Sequence, residues 1–143
     1  MGVNELLVNN MPYTMDKVRT HEKADSKLLG NPVSLEKGKA VVELIASREM
    51  VVDDRGLVHG GFTFGLADYA AMLAVNHPYV VLGSADVLFT APVNAGDRMV
   101  ATGLVESSEG KQREVSVEVS VDNRVVLRGA MTCFVLERHV LEA

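Results

Sequence analysis

His59-Gly60-Gly61-Phe62-Thr63-Phe64-Gly65-Leu66-Ala67-Asp68 reads as the start of a helix that carries a site. A histidine and two glycines stand where the first backbone N–H groups lie open. Such a terminus receives a carbonyl oxygen that gains negative charge. Asp68, nine positions after His59, is a lone carboxylate in an otherwise apolar run, and a carboxylate in such a place needs an explanation. The spacing predicts a helix from about Gly60 to Val75. Asn76-His77-Pro78 ends it, because proline disfavours helical backbone in the residue before it. Phe62, Phe64, Leu66, Ala67, Tyr69 and the run Ala70 to Val75 leave almost no polar face. A helix apolar on nearly every side must be covered on most of them.

The cover lies in the flanking sequence. Residues 33–46 read as a strand with a charged interruption, Glu36-Lys37-Gly38-Lys39, and Asp53-Asp54-Arg55-Gly56 as a turn. After the helix come four extended runs, about 79–90, 98–106, 112–121 and 125–136. The third alternates Val115, Val117, Val119, Val121 with Glu114, Ser116, Glu118, Ser120, which gives one buried and one wet face. The apolar positions of the last run, Leu127, Met131, Cys133 and Val135, are also odd. A two-residue loop would pair odd with even positions and set the faces against each other. A three-residue loop, Asp122-Asn123-Arg124, pairs Val121 with Val125 and Val119 with Leu127. The architecture expected is α+β: a long central helix wrapped by a curved antiparallel sheet of about five strands, with a second copy covering the rest. Upstream, residues 1–13 read as a loose tail, and Thr14 as the cap of a short helix over about 15–29.

Bulk properties bound the function. A chain of 143 residues is one domain, and with 48% hydrophobic residues it can bury a core. A net charge of −5 argues against nucleic acid as a partner. The first ten residues lack a basic start and a long apolar region, and no run is long enough to span a bilayer, so a cytoplasmic protein with no membrane partner is expected. One cysteine, Cys133, fits a reducing compartment. His21, His77 and His139 are scattered with no metal-ligand spacing, so no metal is expected. Gly-x-Ser-x-Gly, P-loop and dinucleotide patterns are absent.

With this order and the His-Gly-Gly…Leu-Ala-Asp spacing, the chain resembles the hotdog-fold acyl-CoA thioesterases, and among them the branch named for the phenylacetate-pathway thioesterase. The resemblance covers about residues 28–136, leaving 1–27 as an N-terminal tail with a short helix and 137–143 as a C-terminal tail. It implies a hotdog fold and an acyl-CoA ligand. It also implies a homodimer or tetramer, and no cofactor beyond the coenzyme A of the substrate. It further implies that the Gly60 amide binds the thioester oxygen. Asp68 of the other subunit then attacks the carbonyl or activates water, and His59 shapes the helix opening. Gly61 adjoins the oxyanion site. The family often carries Asn six residues before the histidine; here that position is Asp53, which either tunes the base or weakens hydrolysis.

The chemistry is sufficient without further groups. A thiolate leaves readily, so amide donors and one carboxylate serve for hydrolysis. Phe64 and Met72, four positions either side of Asp68, share its helical face and either line an acyl pocket or pack in the core. Ser84 and Asp86 follow on the next strand, where the serine either orients water or is plain strand surface. Two functions are expected from this sequence: acyl-CoA hydrolysis, and acyl-CoA binding by a regulatory protein that does not hydrolyse. A hydratase reading lacks its usual histidine pattern.

Overall fold

The structure, a computed structural model, describes residues 14–142. The tail expected over residues 1–13 lies outside them. The elements are α1 (Ser26–Leu29), β1 (Asn31–Glu36), β2 (Lys39–Ile45), a 3-10 turn (Arg48–Met50), α2 (Gly60–Val75), β3 (Val80–Phe89), β4 (Arg98–Glu109), β5 (Gln112–Val121) and β6 (Arg124–Val135), then a 3-10 turn (Val140–Glu142). One six-stranded sheet runs in the order β1-β2-β4-β5-β6-β3, and every pairing is antiparallel.

The helix forms over the predicted residues and packs chiefly on β4, β2 and β5. Leu66, Ala67, Ala70, Ala71 and Leu73 are fully buried. On the sheet the alternation in β5 holds: Val115, Val117, Val119 and Val121 face the core, each burial worth roughly 1.5–3 kcal/mol. At Gly103 of β4 the two layers meet so closely that an added Cβ would lie 2.7 Å from the Ala70 carbonyl oxygen. Both partners there are backbone and cannot step aside. Gly103→Ala should therefore lower stability by about 1–3 kcal/mol, read as a shift in the urea midpoint without a change in slope. A midpoint within error of the wild type would show that the helix sits further from the sheet.

Three expectations are corrected. The charged interruption in the first extended run is a hairpin turn, so that run is two strands and the sheet has six. Glu36 pairs with Lys39, and Gly38 between them takes φ +81°, which glycine adopts without strain. The loop between β5 and β6 has two residues, not three: Val121 pairs with Arg124 and Ser120 with Val125. The mismatch of faces is resolved one step further on. The register shifts between Val119 and Ser120, restoring the expected Val119–Leu127 pair and burying both Val126 and Leu127. A bulge, with its one extra residue, does the work assigned to a longer loop.

The third correction is at the N-terminal segment. Instead of a helix over 15–29 there is one helical turn, capped by the Asp25 carboxylate, which accepts from the Lys27 amide at 2.8 Å. Thr14 caps nothing. Its hydroxyl donates to the Leu35 carbonyl, and Met15 bridges Leu35 in parallel. The segment then reaches the far end of α2. Asn76, in left-handed conformation at the helix C-cap, accepts from the Arg19 amide at 2.8 Å and donates to the Lys17 carbonyl at 2.9 Å. The sparse apolar spacing (Met15, Val18, then Leu28 and Leu29) gives a helix no face to bury.

Candidate functional site

The lead into α2 is fixed by backbone pairing. Val58 donates to the Val93 carbonyl and His59 to the Met50 carbonyl, each at 2.9 Å. Before them, Asp53 Oδ1 accepts from the amides of Arg55 (2.9 Å) and Leu57 (3.1 Å). That side chain closes a turn, a task for which the Oδ1 of an asparagine is equally suited.

His59 is the N-cap, with extended backbone at φ −62°, ψ 133°. Its Nδ1 accepts from the Gly61 amide at 2.8 Å, so the neutral ring carries its proton on Nε2. The Phe62 amide donates to the His59 carbonyl. The Gly60 amide has no acceptor among the described residues. Gly60 also lines a cleft of about 450 Å³ with Val58, Thr63, Phe89, Thr90 and Pro92. His59→Ala should cost about 1 kcal/mol through the lost cap while Gly60 keeps its donor. The check is a lower melting temperature with the helical circular dichroism signal retained; an unchanged melting temperature would mean that the cap bond stabilises nothing.

Asp68 lies eight residues beyond Gly60 on the same helix, half-buried. Its Oδ1 is buried and has no hydrogen-bond partner. Burial raises its carboxyl above the ordinary value of 3.8. On β6, burial first, then the charges of Asp68 and Glu114, push the Cys133 thiol up to about 12. Such a thiol carries almost no thiolate at neutral pH and is no nucleophile. A buried carboxylate oxygen without a partner is costly to a fold, and it marks the place where a ligand, water or second chain would supply one.

Of the residues expected to bind substrate, Gly61 is engaged by His59, and Asp53 is exposed in its turn. Phe64 is half-buried against the core, and Met72 lies inside it at 1% exposure. Ser84 and Asp86 are exposed on β3, one of the two outer strands of the sheet. Phe89 left no signal in the spacing: a Cβ on Gly60 would lie 3.3 Å from its ring, yet 29 positions separate the two residues. Among the described residues no cluster of metal-ligating side chains occurs, and no helix is long and apolar enough to cross a membrane.

No model of a known protein family matches the chain. It is 44% identical over 121 residues to the methylthioribose-1-phosphate isomerase of Aquifex aeolicus. That match takes in 84% of this chain but only 26% of the isomerase, so the chain spans about a quarter of that relative. It is 28% identical over 141 residues to the transcription factor FapR of Caldanaerobacter subterraneus subsp. tengcongensis, covering 98% of this chain and 70% of that protein. Among solved structures, an uncharacterized protein from Pyrococcus horikoshii superimposes with a TM-score of 0.88 at 52% identity, over 90% of this chain and 98% of that one. An Asn-to-Asp mutant of the phenylacetic acid degradation protein PaaI from Thermus thermophilus superimposes with a TM-score of 0.70 at 30% identity, over 78% of this chain and 97% of that one. With the sheet order, the long helix and the His59-to-Asp68 motif already in place, these likenesses show that the chain belongs to the hotdog-fold thioesterase superfamily, in its PaaI-like branch.

Proposed function

We propose that this protein hydrolyses acyl-CoA thioesters at a site shared by two copies of the chain. The reading is carried by one feature of α2. Its open amide, on Gly60, and its unpartnered carboxylate, on Asp68, are eight residues apart, which is about 12 Å along the axis and 80° around it. A carbonyl held by the first is out of reach of the second within one protomer, since reacting atoms must approach to about 3–3.5 Å. Two α2 helices brought together about a twofold axis would each lend what the other lacks. The outer strand β3, ten residues long and with Leu88 and Phe89 more than half exposed, is the kind of edge that pairs with another chain.

In this proposal the Gly60 amide donates to the thioester oxygen as it becomes an oxyanion. Asp68 of the other copy, ionised, takes the proton of a water whose oxygen bonds to the carbonyl carbon. The tetrahedral species then expels coenzyme A as a thiolate, which recovers a proton, leaving the free acid. The alternative step, direct attack by Asp68 to give an anhydride, differs in one observable. A single turnover in ¹⁸O-water puts label into the Asp68 carboxyl only if that side chain is the nucleophile. Coenzyme A enters as part of the substrate, and no other cofactor takes part. The test is thiol release across a panel of acyl-CoAs; no turnover above background with any of them would defeat the proposal.

The likeness to the transcription factor FapR over 98% of this chain favours one other reading: a regulatory acyl-CoA-binding protein. That reading expects acyl-CoA to raise the melting temperature with no thiol released, and with Asp68→Ala binding as well as the wild type. No shift at saturating ligand would exclude it.

A further inference from the structure

We infer that the cleft beside Gly60 is a subsite for an apolar acyl chain, with Phe89 as the wall that sets the chain size it accepts. The inference rests on the proposed acyl-CoA site and adds its substrate class. The cleft, about 450 Å³, is within the range of small-molecule pockets. It opens at the residue whose amide is free, so a carbonyl oxygen held there would place one of its two substituents in the cleft. The lining decides which one. Val58, Phe89, Ala91, Pro92 and Val93 are apolar. The two hydroxyls are already used: Thr90 donates to the Val125 carbonyl at 2.7 Å, and Thr63 points to Met99 Sδ at 3.6 Å. No lining residue carries a charge. An acyl chain ending in a carboxylate would lose water here and find no free side-chain donor, and the amide-bearing thiol arm of coenzyme A would find only the two threonine oxygens as side-chain acceptors. A hydrocarbon chain gains by the same transfer.

Phe89 is placed to set the fit. Its ring rests on Gly60, beside the open amide. It lies at the last position of β3 and is 55% exposed, so the core does not depend on it. In an apolar pocket one methylene is worth roughly tenfold or more in discrimination, and the ring is several times that volume.

The experiment compares wild type, Phe89→Ala and Phe89→Trp. Binding of 2-oxoalkyl-CoA thioethers, which keep a carbonyl but cannot be hydrolysed, is measured by calorimetry. The series has increasing chain length, plus one member ending in a carboxylate. Thiol release from the matching acyl-CoAs is followed in parallel. Phe89→Ala should shift the long-to-short affinity ratio at least about tenfold toward long chains, and Phe89→Trp should shift it the other way. The carboxylate-ended ligand should bind at least about tenfold more weakly than its methyl-ended counterpart. Melting curves and native mass spectrometry confirm that both variants fold and pair as the wild type does. An unchanged ratio in both variants, or no penalty for the carboxylate, overturns the subsite. If turnover persists in that case, the hydrolytic reading stands. A shifted ratio without turnover supports the subsite and defeats hydrolysis. A wild type that binds no thioether overturns both.

Discussion

Asp68→Ala should lose thiol release by roughly 10²–10⁴-fold and melt no lower than the wild type. The two halves of this result have one cause. The carboxylate is held with one oxygen buried and unpartnered, so it costs the fold something and is available to the reaction. Asp68→Asn should behave alike, since the amide keeps the shape and cannot accept the proton. The pH dependence follows from burial, which raises the folded carboxyl above 3.8. Protonation is easier in the folded chain than in the unfolded one. The group's contribution to stability is therefore full below about 3.8 and is lost as pH rises through the folded pKa. Activity runs the other way, because the base must be ionised. Its acidic limb should lie above the ordinary carboxylate value and coincide with the range over which Asp68→Asn, but not the wild type, keeps its stability. A limb at or below 3.8 would remove Asp68 from the role of base.

Gly60→Pro should cut kcat by about 10²–10³-fold, the effect of losing one oxyanion donor, while the chain stays folded. Proline suits the first position of a helix, where its fixed φ is already helical and the missing N–H has no intrahelical acceptor. The residue before it must be extended, and His59 already is, at φ −62°, ψ 133°. The ring would press on Phe89, whose exposed side chain can move. Gly60→Ala carries the same Cβ but keeps the amide, so it should retain most of its activity. Equal losses in the two variants would mean that space at Gly60, not its N–H, is what matters.

These variants rest on residues that the sequence already marked. The helix from Gly60 to Val75, the buried valines of β5 and the His59–Asp68 spacing were legible because each is a local pattern with one physical solution. The errors arose where local patterns had two. A charged stretch such as Glu36 to Lys39 interrupts a strand or turns it, and only the pairing of β1 with β2 decides. At Asp122–Arg124 the faces of β5 and β6 do conflict in parity, but a bulge and a longer loop resolve the conflict equally well. The partners of Gly60 were hidden for a different reason. Phe89 and Thr90 reach it only because β3 returns along β6 to the helix opening, a juxtaposition with no trace in spacing. The task of Asp53, closing its turn with two backbone amides, likewise depends on a loop geometry that composition does not fix.

The claim that one site is built from two chains can be tested by mixing Asp68→Ala with Gly60→Pro, each inactive alone. In a hybrid dimer the Gly60 amide of the first variant faces the Asp68 carboxylate of the second, so one of the two sites is whole. After random subunit exchange, checked by native mass spectrometry, the mixture should regain about a quarter of wild-type activity, because half the dimers are hybrids and each has one working site. Hybrids that form and yet remain as inactive as either parent would contradict the account.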